Sequence, residues 1–240
     1  MSEQPFQRMV DRFLARADEV FPGSCTVVLY GSAARGDWVP RRSDLNLLLV
    51  AEAIQPQDLP RFRTEAGDFE KERMAPPYFF SQLEWLRAAD VFPIEIADMK
   101  LAYRVLRGPD PVAAAVVKPG DLRRALEADL RGKLLRLRAD YALYAERPDL
   151  LAAVVAWSAG SLRVLLRTTL VLAGQVPPRD DAGLGAAVGT LVRVPVESLV
   201  TALAHRRDPA WSCQASLFES YLGVVEQATR FVDTFTPGAA

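Results

Sequence analysis

The chain has 240 residues, half of them apolar, with 29 basic and 30 acidic side chains and a net charge of −1. That length and apolar content suffice for one large core or two small ones, and the near-neutral balance sets up no global field to recruit nucleic acid or an anionic membrane. Two cysteines, Cys25 and Cys213, make no disulfide framework and suit reduced thiols in a cytoplasm. Lysine occurs only at positions 71, 100, 118 and 133, so the positive charge is mostly arginine, which with the many alanines fits the codon bias of a GC-rich bacterial genome.

The opening segment places Phe6, Met9, Val10, Phe13 and Leu14 at helical spacing among charges, an amphipathic helix rather than a signal peptide. CTVVLYGS reads as a buried strand ended by a tight turn at Gly31, and DLNLLLVAE as a second strand. PPYFF predicts a third. It leads into SQLEWLRAAD, where Ser81 and Glu84 form a capping box and start a helix. VFPIEIADM predicts a further strand, with Pro93 placing it at an edge or a strand beginning. AYRVLRGPDP closes the first half in a break built from Gly108, Pro109 and Pro111.

From Asp121 the period changes. Leu122, Leu126, Leu130, Leu134, Leu137 and Tyr141 recur every three or four residues, predicting one long amphipathic helix, and residues 149–174 predict a second, more apolar one. Shorter helices are expected at about 182–193, 196–205 and 213–235, punctuated by prolines. The run 150–175 is long enough to span a bilayer. Arg163 and Arg167 near its middle would each cost roughly 3 kcal/mol there, so a central bundle helix is expected and no membrane partner. The fold class is therefore α+β: a mixed sheet with flanking helices over 1–115, then an all-α bundle over 120–236.

Chemistry concentrates in GSAARGDWVPRRSDLNLLLV, residues 31–50. A glycine after a strand lets backbone approach a phosphate, and the Ser32 hydroxyl with neighbouring N–H groups can bind its oxygens. Residues two apart on a strand share a face, which sets Asp44 beside Asn46. A third acid on a neighbouring strand would complete a magnesium site, and two such ions can align attacking and leaving oxygens.

The order Gly-Ser, Ala-Arg-Gly, then Ser-Asp-x-Asn and an apolar strand resembles the signature of the DNA polymerase β-type nucleotidyltransferase superfamily, in its minimal and kanamycin-nucleotidyltransferase-like members. Aminoglycoside nucleotidyltransferases of this kind add a helical C-terminal domain. The resemblance implies that Gly31, Ser32 and Arg35 hold nucleotide phosphates. It makes Asp44 and Glu95 the catalytic carboxylates, with Asp44, Asn46 and Glu95 as ligands of Mg2+. Glu95 is chosen because it lies between Ile94 and Ile96; Asp98 competes but would face the opposite side of a strand. The implied partners are a nucleoside triphosphate and an unidentified hydroxyl acceptor; a homodimer is compatible with these features. Two departures stand out. Eleven residues, 33–43, separate Ser32 from Asp44 where the pattern has ten, and Asn46 replaces the second carboxylate, so the site carries one formal charge fewer unless Asp37, Asp98 or another acid supplies it. A nucleotide- or partner-binding relative that has lost catalysis is thus the rival reading.

Several features have plainer alternatives. Trp38 stacks on a base or anchors its loop, and the row Arg124, Arg131, Arg138 faces a triphosphate or is a solvated helix face. LRGKLL lacks the first glycine and the hydroxyl residue of a P-loop. One histidine, His205, leaves no His-rich zinc site, and Ser198, Leu199 and Val200 stand where helical-domain ribonucleases carry an arginine ahead of their histidine.

Overall fold

A computed structural model describes residues 6–23, 25–36, 38–39, 43–62 and 75–236. The chain divides into two compact units, Met1–Val117 and Lys118–Ala240.

In the first unit α1 (Gln7–Val20) precedes β1 (Cys25–Tyr30), a single helical turn α2 (Ser32–Arg35), β2 (Asn46–Ala51) and α3 (Asp58–Phe62). Then come β3 (Tyr78–Ser81), α4 (Gln82–Leu86), α5 (Pro93–Leu101), β4 (Tyr103–Arg107) and α6 (Pro111–Ala114). The sheet order is β3-β2-β1-β4, with β1 antiparallel to both neighbours and β3 parallel to β2. β1 and β2 are unbroken apolar runs because both sheet faces are covered. Val27, Leu29, Leu47 and Leu49 pack with Phe6, Val10 and Phe13 on one face. Val28, Leu48 and Val50 pack with Trp85, Ile96 and Met99 on the other.

The segment VFPIEIADM is not the strand its Ile-Glu-Ile alternation predicts. It is α5: Pro93 sits at the helix start, and the Phe92 carbonyl accepts from the Ile96 N–H at 3.1 Å. Proline suits a helix's first turn, where its missing N–H would have had no intrahelical acceptor. Ile96 and Met99, three apart, then turn inward together with Ile94 and Ala97. The strand lies one step later, at β4, inside the stretch whose Gly-Pro break masked it. The capping box at α4 forms as its spacing predicts: the Ser81 hydroxyl accepts from the Glu84 N–H at 3.2 Å, and Glu84 Oε2 accepts from the Ser81 N–H at 2.7 Å.

The second unit holds α7 (Pro119–Tyr144), α8 (Pro148–Leu172), α9 (Asp181–Val192), α10 (Glu197–His205) and α11 (Ala215–Thr234). α7 buries the predicted leucine stripe from Leu122 to Leu137 and packs against α8 and α11. Of the described helices, α8 alone is long and apolar enough to cross a membrane; Leu151, Val155, Leu162, Leu166 and Leu170 along it are fully buried in the bundle. Arg163 near its middle pairs with Asp181 at 2.5 Å, and Arg206 reaches the other oxygen of that carboxylate at 2.8 Å.

Candidate functional site

β1 ends at Tyr30, and the chain turns at Gly31 with φ 75° and ψ −145°, a conformation that glycine adopts without the Cβ penalty of other residues. The Gly31 N–H donates to the Ala102 carbonyl at 3.0 Å, which pins the turn to the start of β4. Its own carbonyl accepts from the Arg35 N–H at 3.0 Å, and Gly36, at φ 86°, closes the turn with its N–H on the Ser32 carbonyl at 3.0 Å. Ser32 and Arg35 are both partly exposed on this single turn.

Asn46 is the first residue of β2 and pairs in register with Tyr30. Alternation sets it on the face of Leu48 and Val50, the one α5 covers. Its amide lies against the turn: a Cβ built on Gly31 would come within 2.8 Å of Asn46 Nδ2. Asp44 precedes the strand, partly exposed. Ser43 has a structural task, since its hydroxyl accepts from the Val39 N–H at 3.1 Å while its N–H returns to the Val39 carbonyl at 2.9 Å, closing the loop ahead of Asp44. Trp38 meets Phe6 edge-on at 5.3 Å, which makes it a loop anchor. Asp37 lies outside the described residues.

Glu95 occupies the first turn of α5, and Asp98 is one turn on. On a helix residues three apart share a face, so the two acids are companions and not the opposed alternatives that a strand would make them. Both act on the same group. Tyr30 has its phenol pushed well above its ordinary value, by burial first and then by Tyr78, Asp98 and Glu95. Tyr78 is raised by burial and by Glu95. The two rings stack at 6.3 Å and 9°. Tyr78 opens β3 and pairs with Leu48. β3, the parallel neighbour of β2, carries no acid at all.

The expected metal ligands therefore come from a pre-strand residue, a strand amide and a helix. Among the described residues no group of three or more acidic, histidine or cysteine side chains is close enough to hold a metal ion. Amide donors stand outside that grouping: Asp44 and Asn46, just before and at the start of β2, are oxygen ligands that suit magnesium together with water and substrate phosphates. The arginine row is engaged within its own unit: Arg124 with Asp121, Arg131 with Glu127 and Asp233, Arg138 with Glu226. Sequence reasoning passed over Tyr30 and Tyr78. The one available signal was that Tyr30 directly precedes the turn glycine.

No protein-family model matches the chain, and no curated protein matches it in sequence. A solved structure does match: the crystal structure of spectinomycin adenyltransferase AAD(9) from Enterococcus faecialis with ATP and spectinomycin, at a TM-score of 0.59 over 95% of this chain and 99% of that one. This is the nucleotidyltransferase fold. At 13% identity the likeness is one of fold. The nucleotidyltransferase architecture accounts for the layout found here: a mixed sheet with flanking helices, followed by a helical region.

Proposed function

We propose that the chain binds a nucleoside triphosphate at the Gly31–Ser32 turn and transfers its nucleotide to a hydroxyl of a small molecule or protein. The observation that carries this is the turn itself, a left-handed glycine that brings backbone, the Ser32 hydroxyl and Arg35 to the end of β1 beside Asn46. The shared fold with AAD(9), solved with ATP and spectinomycin, supports it. In this reading Ser32 and Arg35 hold phosphate oxygens. The acceptor oxygen attacks the α-phosphorus, the bond to the β-phosphate oxygen breaks, pyrophosphate leaves, and the acceptor proton passes to a carboxylate of the Glu95–Asp98 pair. Asp44 and the Asn46 amide would hold magnesium together with substrate phosphates, and the ion would there offset the triphosphate's charge. A second reading turns on Asn46 alone: a nucleotide-binding protein of the same fold that no longer transfers.

Thermal-shift titration with each nucleoside triphosphate, with and without magnesium, tests the shared part, since a ligand bound only by the native state raises the melting temperature by mass action. Ser32→Leu should remove the shift without unfolding the chain. Label from an α-labelled triphosphate then separates the readings: transfer to an acceptor marks the enzyme, and stabilisation without transfer marks the binder. No shift with any nucleotide overturns both.

A further inference from the structure

Around α4 the first unit leaves a run of large apolar side chains in water. Leu83 and Leu86, three apart on α4, and Val91 and Phe92, in the turn into α5, are each 42–79% exposed. The Phe80 ring on β3 meets Phe92 at 5.8 Å and the buried Trp85 at 5.5 Å, which ties this surface to the sheet beneath it. A gathered apolar patch of this kind marks a contact surface, where single scattered residues would not.

Two charges lie in the middle of the patch. Arg87 and Asp90 are exposed, and neither forms an ion pair with another described residue. Elsewhere in the unit opposite charges do pair, as Arg107 with Asp18 and Arg16 with Glu19. The turn that carries them is held firmly: the Ala88 carbonyl accepts from the Val91 N–H at 3.1 Å and from the Phe92 N–H at 2.7 Å. Along the chain the exposed order is Leu86, Arg87, Asp90, Val91, with the more buried Ala88 and Ala89 between the charges. Read forwards it is apolar, basic, acidic, apolar. Read backwards it is its own complement, so a two-fold axis near Ala88 and Ala89 sets Arg87 of each copy on Asp90 of the other and Leu86 on Val91.

An added strand does not suit the same place. β3 is a sheet edge, but it has four residues and its last N–H is already held by Glu84 Oε2 at 2.7 Å. We infer that this face is the interface of a two-fold homodimer, with Leu83, Leu86, Val91 and Phe92 as its apolar centre and two Arg87–Asp90 pairs crossing it. A stable interface covers roughly 800 Å² per partner, with an apolar core inside a polar rim. The four side chains supply that core. None of them belongs to the glycine turn, so the inference does not rest on the nucleotide reading.

The test is sedimentation velocity of the full chain from low to high micromolar concentration, where the mass should rise from that of one chain toward that of two. Arg87→Asp alone faces acid with acid at both crossings, and Asp90→Arg alone faces base with base, so each should weaken dimerisation by about tenfold or more. Mixed in equal amounts, the two variants should pair with each other as tightly as the wild type, because every crossing contact again joins opposite charges. Leu86→Glu, at a side chain already in water, should abolish the dimer and leave the far-ultraviolet circular dichroism unchanged. A chain that stays monomeric at every concentration overturns the inference. So does a dimer that persists in Leu86→Glu, or a pair of charge variants that do not rescue one another on mixing.

Discussion

Gly31→Ala isolates what the turn costs and what it does. At φ 75° and ψ −145° any residue with a Cβ sits in a sparsely populated region, which costs roughly 1–3 kcal/mol when the surroundings hold it there. The surroundings do hold it, through the N–H bond to Ala102 and the carbonyl bond from Arg35. The new methyl would also meet Asn46 Nδ2 at 2.8 Å, but that atom is the free end of a short side chain and can swing aside. Torsional strain should therefore dominate the stability loss, and displacement of Asn46 should dominate any loss of nucleotide binding. For a chain of this size the strain corresponds to a melting temperature lower by about 2–12 °C. Urea unfolding of the wild type, Gly31→Ala, Asn46→Ala and the double variant closes a cycle. The coupling should stay below roughly 0.5 kcal/mol, because the contact is relieved by side-chain movement. A Gly31→Ala protein as stable as wild type would refute the argument, since it would mean that the turn does not need its left-handed glycine.

Three further outcomes follow from particular contacts. Asn46→Asp sets a second carboxylate near Asp44, so stability in metal-free buffer should fall by about 1 kcal/mol through like-charge repulsion and recover with magnesium; denaturation with and without the ion measures it, and an unchanged magnesium response would mean that position 46 does not face an ion-accessible site. Asp181 is pushed up by burial, but Arg163 and Arg206 outweigh that and hold its carboxyl below the ordinary range; its contribution is full above the ordinary aspartate range and is lost as pH falls through its lowered value, so Asp181→Asn should flatten the acid limb of the stability profile and leave its alkaline limb unchanged. Ser81→Ala removes the acceptor for the Glu84 N–H and should cost about 1 kcal/mol, the usual value of an N-cap, seen as faster amide exchange at the start of α4 and not in α7.

The helical half was legible because its signal is long: the stripe from Leu122 to Leu137 repeats the same period over several turns and admits one interpretation. α5 was not, because nine residues with one Ile-Glu-Ile alternation fit either period, and Pro93 suits the start of a strand as well as a helix. β4 vanished into the turn residues that follow it. The glycine turn could be read locally, since the conformation it needs belongs to one residue, whereas Tyr30 and Tyr78 come together only through the pairing of three strands. The error at α5 changes the chemistry and not merely the label. On a strand Glu95 and Asp98 would have pointed apart, leaving one acid to replace the charge missing at Asn46. On a helix they act together on Tyr30, so the charge is restored in number but moved to a different element, one not attached to the β1–β2 hairpin by sequence or ladder. Carboxylates gathered on adjacent strands make a metal centre by register alone. An acid pair on a covering helix, facing two protonated phenols, is suited to taking a proton from an acceptor beside them. Under the transfer reaction proposed above, acid–base work would fall to the α5 side of the sheet and phosphate binding to the turn.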